Sequence, residues 1–152
     1  MPREHVEFVR RGFEVVGRAF EAYWREPRSI AAALEGDDLW PEWKELFELL
    51  DPEVEWKTLF LDTTFRGHLG VARGWDDFLT WADYYRPSLE DAKDLGGNQV
   101  LVTVTFAGQT KDGPRMSGGF FAVFTLRNNR VLRVDEYTTR AEALAAVAQL
   151  QG

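Results

Sequence analysis

The sequence predicts an α+β domain in which helices come first and a strongly bent antiparallel sheet follows. Three observations lead there. The first fifty residues place apolar side chains at helical spacing. From about residue 88 the chain consists of β-prone runs separated by turn signals. Helices, then strands, then one last helix is the order of helices packed over a single sheet.

Taken in order, Val6, Val9, Phe13, Val16, Phe20 and Tyr23 recur at steps of three and four and form one stripe of a helix over residues 4–24. Pro27 ends it. Ser29 is placed to cap a short helix over 30–35, which Gly36 closes. Pro41 suits a first helical turn, and Trp43, Leu46, Phe47 and Leu50 share the face of a third helix that Asp51-Pro52 stops. Alternation predicts a strand over 53–61 and a short one at 63–66. Residues 65–85 read as a strand end, a tight turn at Gly67 and Gly70, and an aromatic-rich helix near 71–86 that Gly74 makes irregular. Strands at 88–95 and 99–108 pair through Gly96-Gly97-Asn98, and Lys111-Asp112-Gly113 signals a hairpin. A strand over 115–127 carries Gly118-Gly119 at a bulge or bend, a last strand covers 130–138, and Thr139 caps a final helix with Ala141, Leu144, Val147 and Ala148 facing inward. No repeat, low-complexity tract or linker interrupts residues 1–152, so one domain is expected.

The 152 residues are 45% hydrophobic and 14% aromatic, enough for a full core with large aromatics left over for the lining of an apolar pocket. Eighteen basic residues face twenty-five acidic ones, a net charge of -7 with no basic run, which speaks against nucleic acid and anionic membrane as partners. The absence of cysteine excludes disulfides, thiol nucleophiles and thiolate metal sites. Two distant histidines and no acidic residues at ligand spacing give no reason to expect a metal or another cofactor. A charged N-terminus and the lack of a long apolar window lead to the expectation of a cytoplasmic protein.

Strand parity selects the candidate site residues. Val54, Trp56 and Thr58 share one face and Glu55 and Lys57 the other, so an apolar core draws Trp56 inward. On the last strand Leu132, Val134, Glu136 and Thr138 share a face, and Val131, Arg133, Asp135 and Tyr137 share the opposite one. If the first set faces inward, Glu136 reaches a pocket where desolvation raises its pKa and suits it to proton transfer. The plain alternative is a rim glutamate paired with Arg133 or Arg140, and the other parity brings Asp135 inward with Tyr137. His68, in the turn between Gly67 and Gly70, reads as a general base or donor, or as the polar cap of a turn. His5 reads as solvent-facing and Asp76-Asp77 as residues at a helix N-terminus. Trp24, Trp75, Trp81 and Tyr85 are placed to line a cavity, with core packing the simpler alternative for Tyr85.

Five motifs occur in a telling order: Val9-Arg10-Arg11-Gly12-Phe13, Asp51-Pro52-Glu53-Val54-Glu55-Trp56, Arg66-Gly67-His68-Leu69-Gly70, Ser117-Gly118, and Val134-Asp135-Glu136-Tyr137 before Ala141-Glu142-Ala143-Leu144. Together they resemble the SnoaL-like polyketide cyclase branch of the nuclear transport factor 2-like superfamily over nearly the whole chain. The resemblance implies a cone-shaped, curved antiparallel sheet packed against N-terminal helices, an α+β barrel that holds one apolar molecule and pairs as a homodimer, here through the outer sheet face near Arg133 and Tyr137. Residues 26–44 depart from it, being longer and richer in Trp than the usual linker, as a lid or as padding. Ketosteroid isomerases of this fold resemble the chain where their base would be Trp56 and their second acid would lie near Phe121, both apolar here. The Arg and Asp of limonene epoxide hydrolases have no counterpart among Val102, Thr103, Val104 and Thr105. An acidic residue near the end of the last strand is shared, at Glu136. The implied protein is a cofactor-independent isomerase, cyclase or hydratase acting on an apolar carbonyl compound, with Glu136 as base, His68 as its partner, and Trp56, Trp24, Trp75, Trp81, Tyr85 and Phe121 around the substrate. A non-catalytic module that binds a hydrophobic ligand, or a dimerising scaffold, stays open beside it.

Overall fold

The long amphipathic helix α1 (Pro2–Arg25) packs on one face of a curved, unclosed six-stranded sheet. The computed structural model describes residues 2–59, 61 and 63–151. Two short helices follow, α2 (Ile30–Glu35) and α3 (Pro41–Glu48), then the hairpin β1 (Leu50–Lys57) and β2 (Thr64–Arg66), and α4 (Gly67–Leu79). The meander β3 (Ala82–Gly96), β4 (Gln99–Thr110), β5 (Arg115–Arg127) and β6 (Arg130–Tyr137) leads to α5 (Arg140–Gln151). The strand order is β2-β1-β6-β5-β4-β3, and β6 lies parallel to β1 while the other pairs are antiparallel. Register shifts along β1, β3 and β6 accompany the bend.

The stretch 26–44 pads the interior. Trp43 is fully buried and Trp40 nearly so, and both join the cluster that holds Phe20, Trp56 and Tyr85. A polar anchor fixes this segment. Asp76 of α4 accepts hydrogen bonds from the Ser29 hydroxyl at 2.8 Å and from the Ile30 and Ala31 N–H groups at 2.7 and 3.1 Å. Its carboxylate thus caps α2, a different helix from its own.

Three expected boundaries move. Asp51-Pro52 lies inside β1, because Asp51 is held by Arg127 at 3.0 Å and itself accepts the Glu53 N–H at 2.8 Å. Pro52 falls where the β1–β6 register shifts, so its missing N–H costs no ladder bond. The expected strand ran on to 61, and position 60 lies outside the described residues. The helix expected to reach 86 stops at Leu79, and Tyr84 and Tyr85 belong to β3. Aromatic side chains favour the pleated sheet, and β3 is the edge strand that tolerates Pro87. Gly74 does not distort α4. A methyl there would meet the Phe65 ring at 2.7 Å, so the glycine is the condition for close packing. His5 is half-buried, with Nδ1 3.0 Å from Asp94 of β3, and is not the solvent-facing group expected.

Candidate functional site

The interior is divided. One cluster gathers Phe20, Trp43, Val54, Trp56, Val71 and Tyr85, and a second gathers Val9, Val100, Val104, Phe120, Ala122 and Val131. A cavity of about 130 Å³ lies between α1 and the sheet and is lined by members of both. α1 contributes Phe8, Val9, Phe13, Val16 and Phe20, α3 contributes Leu46, and its C-cap residue Leu49 follows. The sheet contributes Val54, Trp56, Tyr85, Phe120, Val134 and Glu136, among others.

Glu136 is the charged side chain among the described residues of that lining. A bulge opposite Leu126 shifts the register of β6, so Val131 turns inward in place of Leu132, while Val134 and Glu136 keep the cavity face. The Glu136 carboxylate accepts the Leu59 N–H at 2.8 Å and bonds from the Trp56 indole and the Thr58 hydroxyl. Burial raises its pKa above the usual carboxylate range, and these three bonds offset the rise only in part. Tyr85 lies close enough that burial first, and the charge of Glu136 second, push its phenol up as well, so it stays a neutral donor. The wall beside Glu136 is aromatic. Trp56 stacks on Trp75 at 4.7 Å between centroids, and Trp75 meets Phe20 at 5.1 Å.

Other expected members stand elsewhere. His68 Nε2 donates to the Leu50 carbonyl at 2.8 Å and its ring packs on Phe47, outside the cavity lining; it ties the start of α4 to β1. Trp24 donates its indole N–H to the Tyr85 carbonyl at 2.8 Å and packs behind the wall. Trp81 is 74% exposed, because the helix that would have turned it inward has already ended. Phe121 faces the outer side of the sheet, where it packs with Leu101, Val123 and Tyr137 against Ala143 and Val147 of α5, and its neighbour Phe120 lines the cavity. Asp135 is buried on the outer side, accepting from Arg133 at 2.7 Å. Phe120 and the lining from α1 went unnoticed in the sequence. The α1 stripe was the signal for the latter; β5 is apolar on both faces and gave none. Among the described residues no group of three or more His, Asp or Glu could hold a metal ion.

The fold has known counterparts. A protein from a soil-derived mobile gene cassette, Bal32a, superposes with a TM-score of 0.64 at 19% identity, over 94% of this chain and 95% of its own. An NTF2-like protein of unknown function from Burkholderia pseudomallei matches with a TM-score of 0.56 at 19% identity, over 78% of this chain and 91% of that one. The chain has the nuclear transport factor 2-like fold. A further NTF2-like neighbour, a protein with a ketosteroid isomerase-like fold from Catenulispora acidiphila in complex with trimethylamine, matches with a TM-score of 0.59 at 15% identity, over 87% and 90% of the two chains. No protein-family model and no curated protein matches the sequence. The described lining of the cavity sets one desolvated carboxylate and one neutral phenol among apolar side chains.

Proposed function

We propose that the cavity binds an apolar carbonyl-bearing small molecule and that Glu136 moves a proton next to the carbonyl. The observation that carries this reading is the Glu136 carboxylate, pushed up by burial, on the wall of an apolar cavity beside a neutral tyrosine. Glu136 takes a proton from the carbon adjacent to the carbonyl, the C–H electron pair moves toward the carbonyl oxygen, and the Tyr85 hydroxyl donates a hydrogen bond to that oxygen. Protonated Glu136 then returns the proton at another carbon of the same molecule. The sum is an isomerisation without a co-reactant. Tyr85 takes the place that the sequence suggested for His68, which is committed to the Leu50 carbonyl.

The test is Glu136→Gln. General-base removal should lower turnover about 10²–10⁴-fold on a ketone or enone that the protein isomerises, while ligand affinity stays within about tenfold. Full turnover in the variant overturns the role. A second reading, a binding module without chemistry, is favoured by the three hydrogen bonds that already engage Glu136 and by the lack of a second carboxylate in the described lining. That reading predicts ligand binding with no proton exchange into solvent deuterium.

The assembly we propose is a homodimer through the outer sheet face. α5 already covers Tyr137, so the face available is the strip of Arg66, Glu55 and Arg133, linked by ion pairs at 3.1 and 3.9 Å. Light scattering at micromolar concentration should give twice the 17.4 kDa chain mass; a monomer there refutes the dimer. Among the described residues no helix is long and apolar enough to cross a membrane.

A further inference from the structure

The cavity is long for its volume. Its lining on α1 runs from Phe8 to Phe20, and at about 1.5 Å of rise per residue this is roughly 18 Å. Its lining on β6 runs from Val131 to Glu136, roughly 16 Å of strand. The two ends differ. Phe20, Trp75, Trp56, Tyr85 and Glu136 meet at one, joined by the ring contacts and the Trp56–Glu136 hydrogen bond. Val9 and Val131 belong to the other cluster, with Phe8 packed on it and no charged side chain among the described residues of the lining there. A compact cavity of about this volume holds one benzene ring. Drawn out along α1, the same 130 Å³ is a narrow slot rather than a ring-shaped hollow.

Gly12 shows that the slot is more than a packing defect. It lies in the interior of α1 between the two ends and lines the cavity. Glycine weakens a helix relative to alanine. A methyl group at this position would touch only Leu49 Cδ1, at 4.0 Å, which is ordinary contact. Packing therefore does not demand glycine here, in contrast to Gly74, where Phe65 does. What a side chain at 12 would occupy is the waist of the slot.

We propose that the cavity takes an uncharged carbonyl compound with an unbranched hydrocarbon tail, its head at Glu136 and Tyr85 and its tail passing Gly12 toward Phe8 and Val131. The head rests on the function proposed above; the tail does not. Burial of apolar surface supplies the affinity, and a straight chain buries one more methylene per step without widening.

The experiment is calorimetric binding of a series of straight-chain methyl ketones, 2-pentanone to 2-undecanone, to the whole chain, with 1-decalone as the wide comparator and the matching n-alkanes as the series without a carbonyl. The dissociation constant should fall about fourfold for each added methylene until the slot is full, then level off. Gly12→Ala should melt higher than the parent, bind 2-pentanone within about twofold, and lose about tenfold or more on the longest ketone that the parent accepts. A flat dependence on chain length, tighter binding of 1-decalone than of the ten-carbon straight-chain ketone, or equal losses on short and long ketones in Gly12→Ala overturns the tail. Alkanes that bind as well as ketones, with the same chain-length slope, keep the tail and overturn the carbonyl head. Binding of none of these probes overturns both.

Discussion

Asp135 and Glu136 are consecutive residues of β6 that face opposite sides of the same sheet, and both are largely withdrawn from solvent. On the outer side Asp135 meets a guanidinium, Arg133 at 2.7 Å, and the pair is mutually stabilised, raising the pKa of Arg133. On the inner side, among the described residues, Glu136 meets dipoles: an amide, an indole and a hydroxyl. A full opposite charge compensates a buried carboxylate far better than dipoles do. The comparison teaches that exposure alone does not mark a reactive carboxylate. The partner does, and the pleat of one strand is enough to give two adjacent acids opposite surroundings.

The comparison can be broken from several sides, beginning with the largest effect. Glu136→Gln should remove turnover by the orders of magnitude given above, whereas Asp135→Asn should leave the catalytic step intact; equal losses in kcat for the two would erase the distinction. Trp56→Ala removes a buried ring from the cavity wall together with a donor to Glu136, and should cost about 3–5 kcal/mol in chemical denaturation. A milder Trp56→Phe keeps the wall and loses only the indole donor. Since that bond lowers the Glu136 pKa, the variant should titrate higher than the parent, and any pH–rate profile should move with it. Asp135→Asn should cost about 1 kcal/mol, little for a buried acid because Arg133 is 44% exposed and regains water.

Stability against pH sharpens the same contrast. A carboxyl whose folded pKa lies above its unfolded value of about 4.3 binds its proton more tightly when folded. Its contribution is fully present below that unfolded value and is lost as pH rises through the folded pKa. The stability of the parent relative to Glu136→Gln should therefore decline from about pH 4.3 upward and level off once Glu136 is ionised in the folded state. Urea titrations at a series of pH values measure it, and a difference independent of pH contradicts the assignment.

Much of this was readable in the sequence where one pattern acted alone. The α1 stripe, the Ser29 cap, the β4 run of Val100 to Val104 and the turn at Gly96-Gly97 each had a single competitor-free reading, and the structure follows them. Trp56 and Glu136 could be oriented because polar and apolar residues alternate around them. Legibility failed where two signals competed. Phe120 and Phe121 sit on a strand apolar on both faces because α5 covers the back, so parity had nothing to separate. The aromatic run to Tyr85 satisfied helical spacing and β-propensity at once, and the edge position of β3 decided in favour of strand. His68 looked reactive because its partner, the Leu50 carbonyl, is a backbone atom from another element that no side-chain motif reveals. The bulge at Leu132, which a strict period of two does not include, is why Val131 rather than Leu132 faces the cavity, while Glu136 keeps the face that alternation gives it.

The central claim is that Glu136 is a desolvated carboxylate facing the cavity, and carboxyl NMR titration tests it most directly, without a substrate. With the protein labelled at the glutamate carboxyl and Glu136→Gln used to assign the resonance, the account predicts a midpoint above the ordinary glutamate value of about 4.3, moving higher still in Trp56→Phe. A midpoint at or below that value in the parent contradicts the account: the carboxylate would then be solvated or paired, and the cavity would lose its base.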